Sequence, residues 1–134
     1  MSQLNLQNLK PIRDLLLSLH SELLKFQKLQ FEEKNGPVGG PGNFFKLVTE
    51  HVDFQWLRGL SSLVVSIDEL IDSKEEVSED KVKAIIDFIG SIFLHKNIED
   101  EFSGKFFDLR VEKGIGDEKF SQIELELKKL QDTK

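Results

Sequence analysis

Apolar residues in the first quarter of the chain recur at steps of three and four. Ile12, Leu15, Leu16, Leu19, Leu23, Phe26 and the pair Gln30/Phe31 follow the period of an amphipathic helix. The pattern predicts a helix from about Asn8 to Lys34, near 40 Å long at about 1.5 Å per residue. Pro11 falls near its start, where a missing N–H is tolerated, and Asn35-Gly36 stops it, with Gly able to turn left-handed. Pro41 then opens a short helix whose apolar residues are Phe44, Phe45, Leu47 and Val48, ending near Glu50-His51. Asp53 is placed to cap the next helix. Its apolar stripe is Trp56, Leu57, Leu60, Leu63, Val64, Ile67, Leu70 and Ile71. Arg58, Ser61, Ser62, Asp68, Glu69 and Asp72 occupy its other face. The stretch from Pro41 to Asp72 therefore reads as the spine around which the chain is arranged.

The same period continues downstream. Ser78 is placed to cap a helix over Lys81 to about Leu94, with Val82, Ile85, Ile86, Ile89, Ile92 and Phe93 inward, ended by His95-Lys96-Asn97. Phe102, Phe106 and Leu109 mark a further helix from Ile98 to about Glu112, interrupted by Gly104. Gly114-Ile115-Gly116 breaks the chain, and Asp117 caps a last helix with Phe120, Ile123, Leu127 and Leu130 on one side. Strand signals and internal repeats are absent. The predicted fold is all-α: a four-helix-bundle-like single domain over 1–134 with short accessory helices, the segment 114–134 being a C-terminal accessory helix.

Between the first two helices, Asn35 to Asn43 holds two prolines and four glycines in nine residues, which excludes regular structure. It precedes a helix N-terminus, as a phosphate-cradling loop does. It lacks the Lys-Ser/Thr ending of such a loop and no strand precedes it, so a plain connector is the better reading.

Composition narrows the function classes. A chain of 134 residues suits one domain, and 39% hydrophobic content with 11 Phe supplies one core. The net charge of −6 argues against a generic nucleic-acid binder and against a polybasic membrane anchor. Asp68 to Asp80 carries seven acids against Lys74, a local excess of six that equals the net charge. It reads as a solvated connection, since the ligand spacing of a calcium loop is missing. With no cysteine, thiol catalysis, disulfides and Cys-ligated metals are excluded. Neither a signal peptide nor a membrane-length apolar run is visible, so a cytoplasmic location is expected.

The run Phe54-Gln55-Trp56-Leu57-Arg58-Gly59-Leu60-Ser61-Ser62-Leu63-Val64-Val65-Ser66-Ile67-Asp68-Glu69, preceded by Pro41-Gly42 and Leu47-Val48, resembles the signature of a group of small uncharacterised bacterial proteins. That signature has the form F-x-W-L-R-x-L-S-x-L-I-V-x-I-D-E. Leu19-His20, Phe31-Glu32 and Gly36 match further elements of it. The resemblance covers roughly residues 12–110, departs at Gly59, where the group commonly has proline, and does not reach the last helix. It implies a compact bacterial helical domain and supplies no mechanism.

Few residues can carry chemistry. A di-iron bundle needs Glu-x-x-His pairs, and no Glu here is followed by His three residues later. His20, His51 and His95 lie on three segments and read as surface or helix-end histidines; no metal or cofactor is expected. Ser61 and Ser62 lie mid-helix without the strained turn of a nucleophile, so no catalytic residue is assigned. Arg58, Ser61 and Asp68 share one side of the central helix, which reads first as a solvated face; the alternative is a polar network with His20 or Glu32, either structural or lining a small ligand pocket. Burial of Arg58 and Asp68 against a cavity would favour that site, and exposure of both would weaken it. Trp56, Phe120, Ile123 and Leu127 are candidate interface residues, the last three on a helix able to dock in trans. The leading expectation is a non-enzymatic helical protein acting by protein–protein interaction or self-association. The alternative is a small-ligand or metal-binding bundle, with or without catalysis, built on His20, Arg58, Ser61 and Asp68.

Overall fold

Helix formation follows the three-four spacing almost everywhere. The computed structural model describes residues 6–94 and 100–131, and over these the chain is all-α. The helices are α1 (Leu6–Asn35), α2 (Pro41–Glu50), α3 (Arg58–Ile71), α4 (Glu79–Phe93), α5 (Glu101–Lys113) and α6 (Asp117–Gln131), with a 3-10 helix at Val52–Leu57. The expected helix ends at His95 and Ile98 lie outside the described residues.

The centre of the molecule is α1. Leu9, Ile12, Leu16, Leu19 and Leu23 repeat at steps of three and four, and all five are fully buried. α1 packs against α3, α6, the 3-10 helix and α4. The expectation that Pro41–Asp72 forms the spine is therefore corrected. That stretch breaks into three elements, and the longest helix holds them. Pro11 also lies deeper than expected. The helix is already formed at Leu6, so Pro11 falls in its second turn.

The start of the central helix differs too. Asp53 does not cap it. Val52–Leu57 forms a 3-10 helix, capped by the His51 Nδ1, which accepts the Asp53 N–H at 3.0 Å. The tighter winding sets Phe54 and Leu57 one above the other, and both are buried together with Trp56. Trp56 is buried in the chain's own core. Its indole N–H donates to the Gln27 side-chain oxygen at 2.9 Å, and its ring stacks on Phe102 at 5.9 Å between centroids. Phe102 stacks in turn on Phe106 at 5.4 Å. Phe93 meets both edge-on, so one aromatic column joins the 3-10 helix, α4 and α5.

The predicted cap at Ser78 is present, and Asp100, which the sequence did not single out, caps α5. The Ser78 hydroxyl accepts the Lys81 N–H, and Asp100 accepts the Ser103 N–H at 2.8 Å. Gly104 does not interrupt α5, which runs through it. Gly114 ends α5 in a left-handed conformation, and Gly116, also at positive φ, starts the turn into α6. Arg110 staples this corner, its guanidinium 3.5 Å from the Phe120 ring centre and 3.3 Å from Asp117.

α6 docks on α1 and α4 of the same chain. Ile123 and Leu127 are fully buried there, and Phe120 is half-buried. These three residues and Trp56 thus meet neighbours within the chain. A contact through Phe120, Ile123 and Leu127 in trans would require α6 to undock.

Two measurements check this packing. Leu127→Ala should cost about 2–5 kcal/mol in chemical denaturation, the range for truncating a buried leucine. Leu125→Ala, at a side chain 57% exposed, should stay within about 0.5 kcal/mol. Equal effects would mean that α6 is not seated as described. At the α5–α6 corner, a Cβ on Gly114 would meet nothing within 4 Å, whereas one on Gly116 would lie 2.7 Å from Phe106 and 2.9 Å from Leu19. Gly114→Ala should cost about 1 kcal/mol of left-handed strain. Gly116→Ala should lower the melting temperature clearly further.

Candidate functional site

α2, the shortest of the described α-helices, is held differently from the others. Pro41 starts it, Gly40 supplies no side-chain cap, and its ten residues follow an amphipathic pattern. None of the ten is buried. Phe44, Leu47 and Val48 are half-buried, and Phe45, expected on the buried side, is 70% exposed. The reason is that α2 rests on the 3-10 helix alone among its principal contacts, and a single short partner cannot cover a whole face. Its inner contacts are aromatic. Phe44 and Phe54 meet edge-on at 6.0 Å, and His51 and Phe31 do so at 5.1 Å.

This arrangement leaves a cleft on each side of α2. The first has a volume of about 410 Å³ and lies between the end of α1, the glycine-rich connector and α2. Phe31, Val38 and Leu47 form its walls, with Lys46, Glu50 and His51 at its polar positions. The connector is shaped by a single anchor. Gly36, at positive φ, donates its N–H to the Glu32 carbonyl, and Val38 donates to the Glu32 carboxylate at 3.0 Å. Val38 is thereby held down as a buried wall. The sequence reading missed this cleft. The available signal was Val38, the one large apolar side chain in a loop of glycine and proline.

The second cleft, of about 200 Å³, brings together three of the four candidate ligand residues. His20 comes from α1, and Arg58 and Ser61 from the first turn of α3. Thr49, Phe54 and Leu57 complete most of the lining. Arg58 is exposed, and its guanidinium donates to the Thr49 carbonyl at 2.6 Å, tying the C-terminal end of α2 to α3. Asp68 is not part of this site. It lies ten residues beyond Arg58, about 15 Å along the helix. There its carboxylate accepts from Arg13 at 2.8 Å while remaining 41% exposed. Asp68 first, and Asp14 second, raise the Arg13 pKa above its ordinary value. Both contacts show α1 and α3 running antiparallel, with Arg13 opposite Asp68 and His20 opposite Ser61. Glu32 is likewise engaged elsewhere, at the connector. The expected four-residue network with Asp68 does not form.

The three histidines do not gather in one described site. His20 lines the second cleft and His51 the first, while His95 lies outside the described residues. Among the described residues, no group of three or more His, Asp or Glu side chains is arranged to hold a metal ion. No described helix is long and apolar enough to cross a membrane.

Burial lowers the His20 pKa below its ordinary value of 6.5. The folded state then takes up this proton less readily than the unfolded chain. Its stabilising contribution is complete above about pH 6.5 and is lost as the pH falls through the unfolded and then the folded value. Urea denaturation across that interval should therefore show stability declining toward acid. His20→Gln should flatten part of the slope, and an identical slope in both proteins would rule His20 out as its source. Compared with known proteins, the chain matches no family model, no curated protein and no solved structure.

Proposed function

We propose that this chain is a non-enzymatic helical domain that works by binding protein, and that its docking face is α2 with the adjoining 410 Å³ cleft. The observation that carries this reading is the uncovered amphipathic helix: α2 buries none of its ten residues. Phe45 stands 70% exposed and Val52, just beyond it, 71% exposed. An amphipathic helix with its apolar residues left uncovered is the kind of surface a partner helix or groove can take up. The cleft beside it lies within the range of about 300–1,000 Å³ typical of binding sites, and its apolar walls carry a few polar groups that would orient an occupant. Its natural occupant is an apolar side chain of a second protein surface, whether another copy of this chain or a different one. Lys46 and Glu50 at the cleft would select partners of matched charge.

This reading moves the interface away from the last helix. Deleting 114–134 would strip Ile123 and Leu127 from the core, so that truncation cannot separate loss of binding from loss of fold. Surface substitutions on α2 can. Sedimentation velocity over a concentration series, together with capture from an extract of the native cells, should show self-association or a defined partner. A captured partner is then purified and its binding to this chain measured directly. Phe45→Glu should weaken that binding by about tenfold or more, the 1.4 kcal/mol scale of one good apolar contact. Phe88→Glu, a control at an exposed phenylalanine on α4, should leave it intact. A protein that stays monomeric and yields no partner, or binding insensitive to Phe45→Glu, would overturn the proposal.

A further inference from the structure

The second cleft carries an inference independent of the protein-binding face. Its lining holds a guanidinium, an imidazole and hydroxyl groups, and no carboxylate. That is a marked local departure in a chain whose net charge is −6. The polar groups also have capacity to spare. Arg58 carries five N–H donors, and one contact, to the Thr49 carbonyl, is made. His20 and Ser61 have no side-chain hydrogen-bond partner among the described residues, although His20 is half-buried. Val48, half-buried on α2, supplies accessible apolar surface to the same space, over a floor formed by the fully covered Phe54 and Leu57.

We propose that this pocket binds a small organic monocarboxylate. The carboxylate lies against Arg58 and Ser61, and the hydrocarbon part lies on Val48 above the Phe54 and Leu57 floor. A planar guanidinium suits a two-oxygen anion, with which it makes paired hydrogen bonds. One cation matches one negative charge, and a phosphate dianion would leave a second charge unmatched. Size sets the rest. A dry apolar cavity of about 150 Å³ already admits benzene, so about 200 Å³ suits a ligand of roughly six to ten non-hydrogen atoms. The site is shared among α1, the end of α2 and the start of α3. A bound carboxylate would therefore reinforce the α2–α3 tie that Arg58 now makes through Thr49.

The test uses sodium hexanoate as the probe, with hexanamide and inorganic phosphate as comparison ligands. Binding to the full chain is followed by amide chemical shifts. The expected result is saturable, millimolar or tighter binding of hexanoate, with shifts centred on His20, Thr49, Arg58 and Ser61. Hexanamide and phosphate should each bind about tenfold more weakly or worse, the 1.4 kcal/mol step that a lost charge-assisted contact supplies. Arg58→Gln should weaken hexanoate by a similar factor. Ser61→Leu fills the pocket from a position exposed on α3 and leaves the Arg58 clamp in place, so it separates loss of the site from loosening of α2. Arg13→Gln, at a distant ion pair, should bind as the parent does. Equal binding of hexanamide, undiminished binding by Ser61→Leu, no saturable binding, or shifts centred on Phe31, Leu47 and His51 would each overturn the proposal. The last outcome would assign the probe to the protein-binding cleft, so failure here is distinguishable from failure of the Phe45 experiment.

Discussion

Everything in this molecule depends on one strip of α1. Leu9, Ile12, Leu16, Leu19 and Leu23 are fully buried, and the helices that cover them come from both halves of the chain. Burying five aliphatic side chains is worth roughly 7–15 kcal/mol on transfer scales, an upper figure because unfolded chains already hide part of that surface. The net stability of a whole domain is about 5–15 kcal/mol. The strip is therefore the condition for folding. Its partners explain the remaining architecture. α3 covers it from one side and α6 from another, so the C-terminal helix completes the core rather than adding to it.

The elements that local chemistry dictates were legible in the sequence. The three-four spacing placed α1, α4 and α6 closely, Ser78 capped where a serine before two acids should, and Gly114 ended its helix. What was not legible depended on partners far along the chain. Trp56, Leu57 and Leu60 fit an α-helical stripe, and only the packing of Phe54 and Trp56 against α1 and Phe102 selects the 3-10 winding. Ile123 and Leu127 form an amphipathic stripe that is the same whether it docks in cis or in trans. Arg58, Ser61 and Asp68 share a face, yet a face has length. Ten residues of rise send Asp68 to Arg13 and leave Arg58 and Ser61 with His20.

α2 is the exception to the rule of the strip. A ten-residue helix is below the length of about 12–15 residues at which isolated helices become even marginal in water. Tertiary contacts must hold it, and they are few: edge-on rings around Phe54 and His51, the Lys28 ammonium of α1 over the Phe44 ring, and the Arg58 bond to the Thr49 carbonyl. The same sparseness leaves its apolar residues uncovered and opens a cleft on either flank. The property that makes α2 a poor structural element is thus the one on which the proposed binding role rests.

Arg58 connects the two flanks physically. Its guanidinium holds a carbonyl in the last turn of α2, where the helix dipole places partial negative charge. An anion in the second cleft meets that same guanidinium and draws on its remaining donors. It either reinforces the clamp, by adding a second anchor beside Thr49, or competes with the carbonyl for the same group. In both cases the position of α2 changes in free energy, and α2 is also a wall of the first cleft. Coupling between two sites is reciprocal by thermodynamic necessity. Occupancy of one flank must therefore alter affinity at the other unless α2 holds the same position in all bound states. A helix anchored by so few contacts is the element of this fold least able to meet that condition.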